Sequence, residues 1–194
     1  MNKDETFIDA NWTGPYSWPK FENKGSLPSV PKHPGVYLQT FEYQDGFILS
    51  SAGLTRRPIP TRLREHTRKY INGDYTILDI EAVQQGIRKE IWHGWGWTLE
   101  KRAEFEKHKS LIEDATEKML TGYRIFVTNI GTQPRILERL EAAIILNLYQ
   151  QPEPFCDIPD RGMMLAPRWE KESPVIINNK CIFRLYGLPS ILQI

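Results

Sequence analysis

The chain has 194 residues, of which 40% are hydrophobic and 25% charged, and its formal net charge is +1. This length predicts one main domain with a self-supporting core. The near-neutral charge excludes a surface that attracts polyanions everywhere, although a local basic patch remains open. Two cysteines, Cys156 and Cys181, are too few for a disulfide scaffold or a cysteine-only zinc site.

The hydropathy pattern shows nothing that would place the chain in a membrane. No apolar run approaches the ~20 residues needed to cross a bilayer, and the first residues lack a hydrophobic signal segment. We therefore expect a soluble, cytoplasmic protein without a membrane partner.

Residues 1–33 are rich in proline, glycine, tryptophan and lysine, which predicts an irregular N-terminal arm. Its aromatic residues indicate that the arm is anchored on the domain, because a disordered tail carries few of them. The next segment predicts a β-hairpin, with β-branched and aromatic strands over 35–41 and 47–52. Asp45 and Gly46 form the turn between them.

The segment from Leu54 to Tyr70 is the one strongly basic stretch, with six Lys or Arg and a single acid. Thr61 to Tyr70 predicts a short helix, which Asn72 and Gly73 end. Arg62 and His66 are four residues apart and therefore share one face of that helix.

The rest of the chain predicts strands and helices in alternation. The predicted strands are 74–80, 123–128 and 174–177, with 181–185 as hairpin mate of the last; the predicted helices are 98–120, capped by Thr98, and 132–149, capped by Thr132. The last helix has an apolar stripe at helical spacing, and Glu141 interrupts it. Burying an acid costs free energy unless the acid is paired or bound to a metal, so we expect a cation beside Glu141.

These parts fit hydrolysis of a phosphodiester. That reaction needs a hydrogen-bond acceptor near the attacking water, fixed positive charge on the phosphate and a cation at the leaving oxygen. Tyr37 with His66 would supply the first, Arg62 the second, and Glu141 with Mg²⁺ or Mn²⁺ the third, since Mg²⁺ is commonly held by one carboxylate, waters and substrate phosphate. A tyrosine has a pKa of ~10, so a base role for Tyr37 requires a neighbouring cation.

The ordered set of residues resembles the GIY-YIG nuclease superfamily. The resemblance rests on Gly35-Val36-Tyr37, on a second strand that ends in Gly53, on Arg62-x-x-x-His66 and on a helical glutamate, Glu141. It covers roughly residues 34–150, including an apparent insertion at about 84–121. It implies an α/β (α+β) domain with a small three-stranded antiparallel sheet flanked by helices, and metal-dependent cleavage of DNA.

By position, the resemblance assigns catalytic roles to Tyr37, Arg62, His66 and Glu141, with Glu141 as metal ligand. The basic segment would track the DNA backbone, using Arg56, Arg57, Arg64, Arg68 and Lys69. The insertion and the C-terminal extension, 151–194, would select the substrate. Cleavage of both half-sites of a duplex would favour a homodimer.

One position departs from the family pattern, because Ser51 stands where the second motif has a tyrosine. Serine lacks the reach and acidity of a phenol, so Tyr70 or a water would have to substitute. The alternative is a catalytically weak or inactive nucleic-acid-binding module, or a partner-binding protein, on the same fold.

Simpler interpretations of the same residues stay open at this stage. Arg62 and His66 can form a solvated helix face, and Glu141 can pair with Arg135 or Arg139. The cluster from Trp92 to Trp97 fits a packed aromatic corner better than a platform for stacked bases.

Overall fold

The computed structural model describes residues 6–94, 96 and 98–194. Within them the strands are β1 Thr6–Asn11, β2 Thr13–Tyr16, β3 Gly35–Tyr43, β4 Gly46–Thr55, β5 Ile77–Leu78, β6 Glu90–Trp92, β7 Arg124–Thr128, β8 Val175–Lys180, β9 Leu185–Tyr186 and β10 Ile191–Gln193. The helices are α1 Glu22–Gly25, α2 Ile59–Ile71, α3 Ile80–Gln84, α4 Leu99–Lys107, α5 Lys109–Gly122 and α6 Pro134–Tyr149. The predicted mixed α/β class is confirmed.

The central sheet has five strands in the order β2-β7-β3-β4-β9. β3 pairs antiparallel with β4 and β7, as the alternating hairpin sequence predicts, and β9 joins β4 in parallel. The expected three-stranded antiparallel sheet is not confirmed, because the N-terminal arm adds a strand at one edge and the C-terminal extension adds one at the other.

The N-terminal arm is regular in part, because its described residues, 6–33, include β1, β2 and α1. β1 pairs in parallel with β8, and β10 pairs antiparallel with β8, so both ends of the chain build a second sheet. The predicted hairpin of residues 174–185 is therefore wrong. β8 runs on through Lys180 because its partner is the N-terminal strand rather than the segment that follows it.

Two hydrophobic cores lie on opposite faces of the central sheet. One contains Tyr37 and Phe41 with the buried sides of α2 and α5, including Leu63 and Met119. The other contains Val36, Leu38 and the apolar stripe of α6. This alternation along β3 follows from the two-residue period of a strand and places Tyr37 on the side of α2.

Several predicted boundaries differ from the observed ones. The predicted strand 74–80 shrinks to β5, which pairs with β6 in a separate two-stranded sheet. The predicted helix 98–120 is broken at His108 into α4 and α5, although Thr98 does accept a hydrogen bond from the Lys101 amide. α6 begins at Pro134 after Gln133, not at a Thr132 cap, because proline at the first turn needs no amide partner.

The aromatic segment after β6 is described in part. Trp92 is buried, stacks edge-on against Phe105 and donates its indole N–H to the carbonyl of Gly73 at 2.8 Å. Trp92 therefore belongs to a packed corner. Trp95 and Trp97, which the same interpretation included, lie outside the described residues.

Candidate active site

A cavity of about 500 Å³ lies beside β4 and is bounded by α2, α6 and the segment 158–166. Its walls include all four predicted catalytic residues: Tyr37, Arg62, His66 and Glu141. They come from three elements that are distant in sequence, so the fold brings the predicted set together. This volume is typical of sites for small ligands or single nucleotides.

Tyr37 is held by the centre of the sheet. Its partner in the register is Gly53 on β4, and the phenol ring lies directly over that glycine. A methyl group at position 53 would overlap the Oη and Cζ atoms of Tyr37. The close approach of the Tyr37 ring therefore requires glycine at position 53. This contact explains structurally why the predicted second motif ends in glycine.

His66 contacts Tyr37 directly, with 2.9 Å between Nε2 and the phenol oxygen. Burial, followed by the charge of Arg62, lowers the pKa of His66 to about 4, so its ring is neutral near pH 7. Burial also raises the pKa of Tyr37 far above its usual value, so Tyr37 keeps its proton. In the tautomer with hydrogen on Nδ1, Tyr37 donates to Nε2 of His66.

Arg62 is the cation at the centre of the group. It lies one turn before His66 on α2, pairs with Glu65 at 3.3 Å, and its charge acts on Tyr37, His66 and Glu141. Its side chain is 40% exposed, so part of the guanidinium stays open to an anion. Both Arg62 and His66 line the cavity, which favours a binding site over a purely solvated helix face.

Glu141 reaches the cavity around the outer edge of β4. β9 pairs only with Phe47 and Ile48, so the end of β4 has no strand on that side. The amide of Leu54 donates instead to the Glu141 carboxylate at 3.1 Å. Burial raises the pKa of Glu141 to about 7, although this hydrogen bond and Arg62 act against the rise.

The expected alternative partners of Glu141 are bound elsewhere. Arg135 pairs with Glu172 at 2.6 Å, and Arg139 donates to the carbonyl oxygens of Ser173 and Ile194. In the described part of the chain Glu141 forms no ion pair within 4.0 Å. A buried carboxylate without a cation fits the prediction that something outside the protein supplies one.

The donor set suits a hydrated divalent ion rather than a protein-enclosed one. Among the described residues no group of three or more His, Cys, Asp or Glu could hold a metal. One desolvated carboxylate, open to a cavity that can hold water and phosphate, fits Mg²⁺ or Mn²⁺ bound mainly by water and substrate.

The predicted nucleic-acid-binding residues divide into two groups. Three of them are held in ion pairs: Arg56 with Glu138 at 2.9 Å, Arg57 with Glu65 at 2.8 Å and Lys69 with Asp74 at 2.7 Å. Arg64 and Arg68 are exposed. Each lies two residues after a cavity residue and so about 200° around the helix from it. They face solvent away from the cavity.

Ser51 lines the cavity, and so does Tyr70, the expected substitute for the missing phenol. The hydroxyl of Tyr70 is buried 3.2 Å from that of Tyr123. Sequence reasoning missed Tyr75, whose ring lies 5.4 Å from that of His66 at the cavity wall. Its only signal is an aromatic residue two positions after the Asn72-Gly73 helix stop, and the sequence pattern places it in the predicted strand 74–80.

The described helices include none with the length and apolarity that a bilayer crossing demands. The site consists of residues from α2, α6 and the central hairpin, and its assignment depends on their geometry. Comparisons with protein-family models, with curated proteins and with solved structures find no match to this chain.

Proposed function

We propose that the protein is a divalent-metal-dependent endonuclease that hydrolyses phosphodiester bonds in DNA, on a GIY-YIG-like domain over residues 34–150. The observation that carries the proposal is the convergence of Tyr37, Arg62, His66 and Glu141 on one cavity, with Tyr37 hydrogen-bonded to His66. These four residue types supply the positive charge, proton acceptor and metal ligand that the reaction requires.

The hydrogen bond between Tyr37 and His66 suggests how a water is activated. With its proton donated to His66, the phenol oxygen has lone pairs for a water in the cavity. As that water attacks phosphorus, its proton would pass to Tyr37 while the proton of Tyr37 passes to Nε2 of His66. This relay needs no phenolate in the resting protein, which agrees with the raised pKa of Tyr37.

Arg62 and Glu141 would bind the two charges of the reaction centre. The guanidinium of Arg62 would hold a phosphate oxygen and stabilise the extra negative charge of the transition state. Glu141 would hold Mg²⁺ or Mn²⁺, which supplies Lewis-acid stabilisation of the leaving oxygen when bound. A cation beside Glu141 would lower the pKa of this carboxyl from about 7 and keep it ionised.

A nucleic-acid-binding module without hydrolysis is the second candidate. Ser51 favours it, because the family has a second tyrosine there. The low pKa of His66, about 4, also favours it, because such a ring is a weak base near neutral pH.

The experiment that separates the two incubates the protein with supercoiled, linear and single-stranded DNA and with RNA. Each substrate is tested with Mg²⁺, with Mn²⁺ and with chelator. We expect nicking of DNA that needs the metal and is lost in Glu141→Gln. Equal DNA binding by both proteins with no cleavage by either would support the binding module instead.

A further inference from the structure

The inner end of the cavity contains a polar side chain that the proposed hydrolysis does not use. Gln39 follows Tyr37 by two residues on β3 and lines the same cavity. It is only 6% exposed, and its side-chain amide forms no hydrogen bond within the described part of the chain. The two polar atoms of this amide are not among the fully enclosed, unpartnered polar atoms of the described residues, so they are open to the cavity, where water or a ligand can bind them.

Other polar groups surround Gln39. A β-bulge in β4 brings Ser50 and Ser51 together beside it, and Ser50 donates to the main-chain oxygen of Gln39 at 2.9 Å. Thr76, 4% exposed, also lines the cavity, and its hydroxyl has no partner in the described residues. The inner end therefore offers several hydrogen-bonding groups at one place.

Other parts of the cavity wall are apolar. Leu78, Ile158, Met163 and Ala166 line them, and Tyr75 adds an aromatic face. A flat ring with a polar edge fits such a space, because its faces contact apolar groups while its edge meets hydrogen-bonding groups. A nucleobase has this shape and chemistry.

The position of Gln39 relative to Tyr37 supports the same ligand. Two residues along a strand span about 7 Å, so Gln39 lies one nucleotide's reach from the point where Tyr37 and Arg62 would hold a phosphate. A glutamine amide presents one donor and one acceptor side by side, which match the edge of adenine.

We propose that this recess binds the base of a nucleotide turned out of its strand beside the scissile phosphate, and that Gln39 selects adenine there. The inference rests on the proposed function for the class of substrate, but base selection and hydrolysis fail in different measurements. Gln39 is a specificity residue in this account and takes no part in bond cleavage.

The test measures binding of labelled thymidine heptamers whose central position carries A, C, G or T, in chelator and low salt. We expect wild type to bind the adenine heptamer about tenfold more tightly than the others. Gln39→Leu, similar in shape but without the amide, should bind all four within about twofold. Gln85→Leu, the same change at an exposed residue outside the cavity, should keep the preference.

A measurement on wild type alone covers the case in which Gln39→Leu does not fold. Deoxynucleoside monophosphates compete with the labelled heptamer, and we expect dAMP to compete about tenfold better than dCMP, dGMP or dTMP. Equal competition by all four, or a preference that Gln39→Leu retains, would overturn base selection. Metal-dependent nicking that persists in that case would leave the hydrolysis standing. Adenine-selective binding without any nicking would support base selection and contradict the proposed hydrolysis.

Discussion

Two glutamates that line the cavity differ in their partners: the one at the rim is held in ion pairs, and the one on the inner wall is not. Glu138 and Glu141 are three residues apart on α6, and both line the cavity. At the rim Glu138 pairs with Arg56 at 2.9 Å and with Arg135 at 3.5 Å. On the wall, Glu141 accepts a hydrogen bond from the amide of Leu54 and has no other partner among the described residues, and burial raises its pKa to about 7.

The difference indicates at which carboxylate the protein leaves a place for a cation from outside. A paired, partly exposed carboxylate such as Glu138 already has its partners within the protein, and such a pair adds little stability. A buried carboxylate without a cation lowers stability, and a protein retains it where function needs it. The basic helix α2 also has two different faces, because Arg62 lines the cavity while Arg64 and Arg68 face solvent.

The largest expected effect belongs to the hydroxyl of Tyr37. Tyr37→Phe keeps the ring over Gly53 but removes the proton relay to His66, so we expect the cleavage rate constant to fall by about 10²–10⁴-fold. DNA affinity should change little. Tyr186→Phe, which removes a hydroxyl bonded to Gln44 outside the cavity, is the control. Full activity in Tyr37→Phe would exclude the hydroxyl from the reaction.

Replacing the unpaired carboxylate should stabilise the protein. In metal-free solution the folded Glu141 releases its proton near pH 7 and the unfolded residue near 4.5, so the free energy of unfolding falls as pH rises between these values. Glu141→Gln should therefore be more stable than wild type by about 3 kcal/mol at pH 8 and nearly equal at pH 4. Urea unfolding at both pH values measures this.

The paired carboxylate at the rim is the matched control. Glu138→Gln should lose no more than about 1 kcal/mol, with no such pH dependence. Added Mg²⁺ should raise the unfolding midpoint of wild type and Glu138→Gln but not of Glu141→Gln. A stability loss in Glu141→Gln at pH 8 would mean that the protein itself already satisfies this carboxylate.

His66 should give the opposite pH slope. Its pKa is about 4 in the folded protein and 6.5 when unfolded, so its contribution to the free energy of unfolding rises with pH between these values, by about 3 kcal/mol. His66→Gln should remove that rise. A slope unchanged by the substitution would show that the ring is not buried neutral beside Arg62.

A smaller effect is expected where Tyr37 meets Gly53. Gly53→Ala forces the phenol ring away and should cost about 1–3 kcal/mol of unfolding free energy. In a Tyr37→Ala background, where the ring is absent, the same substitution should cost much less, and the double-mutant cycle measures the coupling. Equal costs in both backgrounds would contradict the close approach.

The smallest effect concerns the solvent face of α2. Arg64→Gln with Arg68→Gln should weaken DNA binding several-fold at low salt and flatten its salt dependence, because each removes a charge near the backbone. The single-turnover rate constant at saturating protein should stay unchanged. A loss of rate comparable to that of Arg62→Gln would show that the two faces do not differ.

Local patterns predicted the parts of the fold whose partners are close in sequence. The hairpin of β3 and β4 follows from strand alternation around Asp45-Gly46, and α6 follows from its apolar stripe. The pairing of β1 with β8 could not be predicted in this way, because it joins residues about 170 positions apart. The break at His108 was missed because the stripe was read as one helix.

The candidate site was predictable to the extent that single residues carry the chemistry. Glu141 is an acid within an apolar stripe, and Arg62 and His66 are one turn apart, so both features are visible in the sequence. Tyr75 and Gln39 are not visible in this way. Their places depend on the turn after α2 and on which face of β3 the cavity opens, and only tertiary packing determines those.

The most direct test of the central claim is the single-turnover rate constant for nicking supercoiled DNA in Mg²⁺, measured for wild type, Glu141→Gln and Glu138→Gln. We expect wild type and Glu138→Gln to nick at similar rates and Glu141→Gln to be slower by at least about 10²-fold. Equal rates in all three, or no metal-dependent nicking by wild type, would contradict a hydrolytic site built on Glu141.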